Sequence, residues 1–168
     1  ATVVQQVQRD KFTMVTEFLA PLNPIIKRYF GSNTGSKTRR NLAMSYHIKE
    51  AIMYVDPDLL WEYNKVMISR GELLGLNDAV ATPGTGQSVD FTWTDNSGTG
   101  GAEATGQLVV VIYEPISKRS VYSLNAGVRS SEMATVLVPN YFTGLPVEVW
   151  ATFAASDEKQ YATSQYLG

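Results

Sequence analysis

Cysteine is absent from this chain of 168 residues, and histidine occurs once, as His47. Disulfides and thiolate nucleophiles are thereby excluded, as is any site built on several imidazoles. Charge of one sign is scarce: 14 Lys and Arg against 16 Asp and Glu leave a formal charge of -2. The clustered cationic excess that drives counterion release from nucleic acid is missing. The one dense basic cluster, Lys37, Arg39 and Arg40, reads most simply as a solvated helix face. No apolar run reaches the roughly 18 residues of a membrane span, and the first residues lack the charged-then-apolar layout of a secretion signal. Neither nucleic acid nor a membrane span is expected. Core material is plentiful: 44% apolar and 18% charged residues lie well away from the composition of disorder, so the chain is expected to fold.

Phe12, Val15, Leu19, Leu22, Ile26 and Tyr29 recur at steps of three and four, the period that sets side chains on one helix face. Pro21 and Pro24 interrupt the stripe. Because proline removes a backbone donor and clashes with the preceding turn, the spacing predicts a kinked helix or two short ones, with Asn23 capping the second. Gly31 to Ser36 reads as a turn-forming loop, after which Thr38 caps a helix carrying Leu42, Ala43, Tyr46, Ala51 and Ile52 and ended by Asp56-Pro57. Residues 1–64 thus read as a helical hairpin with two apolar faces, too small to bury both without a partner surface.

From Lys65 the texture changes to short β-rich runs separated by Gly, Pro, Asn and Asp. Seven such runs lie near Lys65–Leu74, Gln87–Asp95, Gln107–Glu114, Arg119–Leu124, Met133–Val138, Val147–Ala155 and Gln160–Leu167. Val89, Phe91 and Trp93 alternate with Asp90, Thr92 and Thr94, as expected where one sheet face is buried and the other wet. Gln107 to Tyr113 is apolar on both faces, which predicts a central strand covered on its second side by the helices. The expected fold is α+β: a helical part, 1–64, packed on a seven-stranded immunoglobulin- or fibronectin-like β-sandwich, 65–168.

Candidate chemistry is sparse. His47 and Glu50, three apart on a predicted helix, share a face as a base and its orienting carboxylate would, but a surface hydrogen bond explains them as well. No G-x-S-x-G elbow or comparable nucleophile motif stands near to complete a catalytic set. Asp95 to Glu103 alternates oxygen-bearing side chains around glycines like a calcium loop without the true spacing, and the same residues suit a plain hairpin. Asp56, Asp58 and Glu62 could pair as acid and base for glycoside cleavage, but they are read first as a helix end and a cap. Trp93 is in phase with the core, whereas Trp150 stands on the face opposite Val149 and is the better candidate for an exposed aromatic platform, the alternative being that the helices cover that face.

The stretches Gln8-Arg9-x-Lys11-Phe12, Phe18-Leu19-x-Pro21-Leu22, Asn41-x-Ala43-Met44-Ser45-Tyr46, Ile68-Ser69-Arg70-Gly71, Phe91-Thr92-Trp93-x-Asp95-Asn96-Ser97-Gly98, Val138-Pro139 and Tyr166-Leu167-Gly168 occur in that order. Together they resemble an uncharacterised Bacteroidota family of small proteins, a domain of unknown function with helices followed by a β-sandwich. The resemblance spans nearly the whole chain. It implies a further glycine-rich segment before the first residue and a few residues beyond the last, and it supplies no catalytic residues.

The expected function is therefore non-enzymatic: a structural or interaction protein, a repeated subunit of a cell-surface, filament-like or phage-like assembly. The alternative is a module binding carbohydrate or another ligand, with a hydrolase using His47 ranked last. No cofactor is expected, and the expected partner is a second copy or another protein. Candidate interaction residues lie at the two ends and on the platform: Thr2, Val3 and Val4 as an extended arm able to add to a sheet edge, Trp150, and Tyr161 and Tyr166 on an unprotected end strand; the equal alternative is that the first residues continue the first helix through Val4 and Val7 and that the helices cover that edge.

Overall fold

The computed structural model describes residues 2–168; Ala1, first residue of the expected helical part, lies outside the described residues. A capping box opens the chain: Gln5 N donates to the Thr2 hydroxyl at 3.2 Å, and Thr2 N donates to the Gln5 side chain at 3.1 Å. Helix α1 (Val3–Leu19) follows and buries Val15, Phe18 and Leu19. At Pro21 the chain tightens into a 3₁₀ turn, Ala20–Leu22, and resumes as α2 (Asn23–Tyr29). Asn23 does not cap α2. It is the first residue of that helix, Leu22 holds the cap position without a side-chain bond, and Pro24 supplies a preset φ within the first turn. Thr38 does cap α3 (Arg39–Glu50), accepting from Asn41 N at 3.1 Å.

Helix α3 stops earlier than its apolar spacing predicts. Ile52 opens β1 (Ile52–Val55), which pairs antiparallel with β2 (Asp58–Trp61) around Asp56-Pro57. The β-branched and aromatic content of Ile52, Tyr54 and Val55 suits a pleated ribbon, and Pro57 forbids a continuing helix. Lys65–Leu74, expected as the first strand of the sandwich, forms only isolated bridges from Arg70 to Phe30 and from Glu72 and Leu73 to Ala162. The strand in its place is β3 (Asn77–Pro83), whose Asn, Asp and Pro disguise it. Then come β4 (Ser88–Thr94), β5 (Gln107–Glu114), β6 (Arg119–Ser123), β7 (Met133–Leu137), β8 (Glu148–Ala154) and β9 (Gln165–Tyr166). The α+β class stands, but the expected seven strands become nine among the described residues, in three antiparallel sheets: β1-β2, β3-β4-β7 and β6-β5-β8-β9.

Strand β5 is central and buried on both faces. Val109, Val111 and Tyr113 join Trp150 and Ala154 in a core shared with Phe18, Leu22, Ile26 and Phe30 of the helical part. Leu108, Val110 and Ile112 join Val149, Ala151 and Phe153 against Val89, Phe91 and Trp93 of the facing sheet. One strand thus divides the protein into three layers, helices over the four-stranded sheet over the three-stranded sheet.

Candidate interaction surface

The outer face of the four-stranded sheet is sealed by the helical part. Phe18 of α1 meets Tyr113 edge-on at 4.9 Å, Trp150 at 5.9 Å and Trp61 of β2 at 4.9 Å between ring centroids. Trp150 is consequently fully buried, and its Nε1 donates to Tyr63 O at 3.2 Å. Trp150 does stand on the face opposite Val149, but of the two alternatives there the helices cover that face, so it is no exposed platform.

At the first end the structure follows the helical alternative to an arm, and at the last the end strand is shorter than expected. Thr2 is a helix cap, while Val3 and Val4, 71% and 73% exposed, form the first turn of α1, so the arm is helical rather than extended. The end strand shrinks from Gln160–Leu167 to the two residues of β9, and its outer side is occupied by residues 68–76. Ile68 N donates to Ser164 Oγ at 2.9 Å, Ser164 N to Ser69 O at 3.2 Å, Leu73 N to Tyr161 O at 3.1 Å and Gln165 Nε2 to Leu76 O at 2.9 Å. Gly71 permits this closeness, since a Cβ there would lie 2.1 Å from Tyr161 O. Tyr161 packs on Tyr29 at 5.5 Å, donates to Gly31 O and lies under the Arg39 guanidinium. Tyr166 packs on Trp150 at 5.8 Å and donates to Glu148; burial, and after it that carboxylate, push its phenol up to about 12. Both tyrosines act as internal fasteners.

His47 is buried with both ring nitrogens engaged. Nδ1 donates to Ala43 O at 2.7 Å, because a carbonyl can only accept, and Nε2 accepts from Met67 N at 3.1 Å. Burial drives its pKa down to about 4, so the imidazole is neutral. Glu50 stays exposed and is not brought to it; the pair is neither a catalytic couple nor a surface hydrogen bond. Asp56 accepts from Tyr54 at 2.8 Å, Glu62 pairs with Lys65 at 2.9 Å, and Asp95 accepts from Ser97 N at 2.9 Å. Asp56 and Asp58 flank a hairpin turn instead of ending a helix. Among the described residues no three His, Asp or Glu converge to hold a metal. Arg39 donates to Lys27 O at 3.2 Å and to Arg28 O, closing the end of α2, so it is only in part the solvated face expected of the basic cluster.

Arg129 is a buried cation that spacing did not mark. Its guanidinium donates to Asn96 Oδ1 at 2.6 Å and Leu74 O at 3.0 Å and lies 4.1 Å over the Phe153 ring, while Trp93 Nε1 donates to its carbonyl at 2.8 Å. It ties the loops at one end of the two sheets.

The three-stranded sheet is treated differently. Its inner face carries Val89, Phe91, Trp93 and Val136, and its outer face shows Val80 and Thr82 of β3, Thr92 and Thr94 of β4, and Met133, Thr135 and Leu137 of β7 to water. Register sets these in rows, Val80 with Thr92 and Met133, then Thr82 with Asp90 and Thr135. Thr135 Oγ1 donates to Asp90 at 2.7 Å within the second row. The alternation of Asp90, Thr92 and Thr94 announced half of this face; β3 was missed because its polar composition hides it.

These layers define an α+β protein in which helices cover one antiparallel sheet and leave the other's face open. The chain belongs to the family of unknown function DUF6266, whose model matches residues 1–168. No curated protein and no solved structure matches it. No described helix is long and apolar enough to cross a membrane.

Proposed function

We propose that this is a non-enzymatic structural or interaction protein that presents the open β3-β4-β7 face to a protein partner, in the first place another copy of itself. The observation that carries the reading is the contrast between the two sheets: the helices seal one outer face around Trp150, while the other exposes Met133 and Leu137 among threonines. An exposed sheet face bearing large apolar side chains is a surface suited to association. Within this reading the assembly is a repeated one, cell-surface, filament-like or phage-like, and the lineage is the Bacteroidota one that the seven ordered stretches, from Gln8-Arg9 to Tyr166-Leu167-Gly168, together resemble. The sandwich itself is read as immunoglobulin- or fibronectin-like: β3 to β9 divide three and four, and the order departs from the immunoglobulin constant type only in the fourth strand, β6, which joins β5 instead of β7. The helical part, 1–64, is read as an integral cover of the sandwich, 65–168. The carbohydrate-binding alternative drew on Trp150 and the polar loops around Asn96 and Asn125, and the hydrolase on His47; burial removes Trp150 and His47 from reach of a ligand, and the Asn96 side chain is engaged by Gly75 O and Arg129.

Light scattering across a range of concentrations tests the reading. The mass is expected to rise above that of one chain, and a chain that stays monomeric throughout would refute it.

A further inference from the structure

Exposed strand edges template pairing with other chains, and natural sheets blunt them with bulges, proline, charge or a covering segment. Three of the four outer edges of the two larger sheets are blunted. β3 is bulged between Asn77 and Val80, with Asp78 at φ 53, and ends on Pro83. β6 opens on Lys118 and Arg119, and the Ala20–Leu22 turn lies against it. β9 is two residues long and is covered by residues 68–76. β7 is the least protected: Met133–Leu137 contains neither charge nor proline, Met133 is 67% and Leu137 72% exposed, and the one group set against the edge is the Ser131 hydroxyl, which donates to Met133 O at 3.3 Å.

The backbone parity of β7 can be read directly. Val138 N donates to Gln87 O at 2.9 Å, and Trp93 N donates to Glu132 O at 3.1 Å. The even-numbered residues therefore turn their peptide groups toward β4, and antiparallel alternation turns those of Met133, Thr135 and Leu137 toward the open edge. The three residues whose side chains stand in water are the same three whose N–H and C=O groups face outward.

We propose that this edge pairs antiparallel with the same edge of a second copy, about a two-fold axis through Thr135. This rests on the reading under Proposed function and names its contact. The strand is symmetric in chemistry about that axis: Met133 meets the partner's Leu137, Ala134 the partner's Val136, and Thr135 the partner's Thr135. The parity matches, since all three outward-facing residues of one strand meet outward-facing residues of the other. No like charges oppose, because Glu132 meets the partner's Val138. The register is bounded at both ends, by Pro139, which lacks an N–H, and by Glu132, whose φ of 58 leaves the extended conformation. Such an isologous contact closes as a dimer and joins two three-stranded sheets into one of six strands.

Sedimentation of the full chain tests the register. Met133→Lys and Leu137→Glu are each expected to weaken dimerisation roughly tenfold, since each alters two symmetric cross-strand pairs, and the double variant to recover most of that loss, because each ammonium then opposes a carboxylate. Thr135→Cys, in a chain with no other cysteine, is expected to yield a covalent dimer with a short bismaleimide, whereas Val80→Cys on the far strand of the same sheet is not. If the charged variants do not fold by circular dichroism, the cysteine pair decides. Association that persists without Thr135→Cys cross-linking overturns this contact and leaves the broader reading standing; a monomer at every concentration overturns both.

Discussion

Val111 and Ile112 are neighbours on β5, yet Val111 points into the core shared with the helices and Ile112 into the core between the sheets. Like β8 beside it, this strand couples two clusters that have no buried residue in common. Ile112→Ala is expected to cost about 3 kcal/mol, as large-to-small core changes do. It should shift unfolding at Trp150, in the first core, as much as at Trp93, in the second. Urea unfolding of variants retaining one tryptophan checks this: coincident midpoints are expected, and two separate transitions would mean that the cores fold independently.

His47 makes stability depend on pH. Its folded pKa, about 4, lies below the ordinary value of 6.5 because burial penalises the cation, so the unfolded chain binds the extra proton first. The stabilisation is complete above pH 6.5 and is lost as pH falls toward 4, amounting to at most about 3 kcal/mol over that interval. Urea midpoints between pH 7 and 5 should fall in the wild type and fall less in His47→Gln. Parallel slopes in the two proteins would contradict the assignment.

Gly71 lies where the segment covering the β9 edge meets the chain's last residues. Gly71→Ala sets a methyl group against the Tyr161 carbonyl and is expected to cost about 2 kcal/mol through overpacking. Amide exchange should accelerate around Ser69 and Ser164 before it does elsewhere. Unaltered exchange there would show that the cover does not depend on this close approach.

Because Thr2, Val3 and Val4 belong to a capped helix, removing residues 1–8 shortens α1 without removing a strand donor. Helicity should fall and the oligomer order stay as it was, by light scattering. Thr2→Ala, which deletes only the cap, is expected to cost about 1 kcal/mol. A loss of assembly on truncation would restore the role of an arm.

The parts legible in the sequence were those where one physical rule acts alone. Alternation in Val89–Trp93 fixed the inward face of β4, and the two-sided apolar run of β5 implied a sheet covered twice. Thr38 announced α3 through its hydroxyl. Elsewhere two rules competed. Ile52 continues the helical spacing of α3 and is also a strand former; the turn at Asp56-Pro57 decided for the strand. Trp150 was placed on the correct face, but exposure depends on what lies above a face, which strand periodicity does not carry. His47 and Arg129 are polar residues whose burial is made tolerable by backbone carbonyls and amides distant in sequence. The free edge of β7 follows from sheet order, and sheet order is not a local property.

Amide hydrogen exchange at two concentrations, one on each side of the association midpoint, tests the central claim most directly. If the open sheet is the association surface, protection in Met133–Leu137 should rise with concentration, while the exposed first turn of α1 around Val3 and Val4 exchanges at the same rate in both. Protection that rises on the helical face instead, with the β7 amides unchanged, would contradict the account.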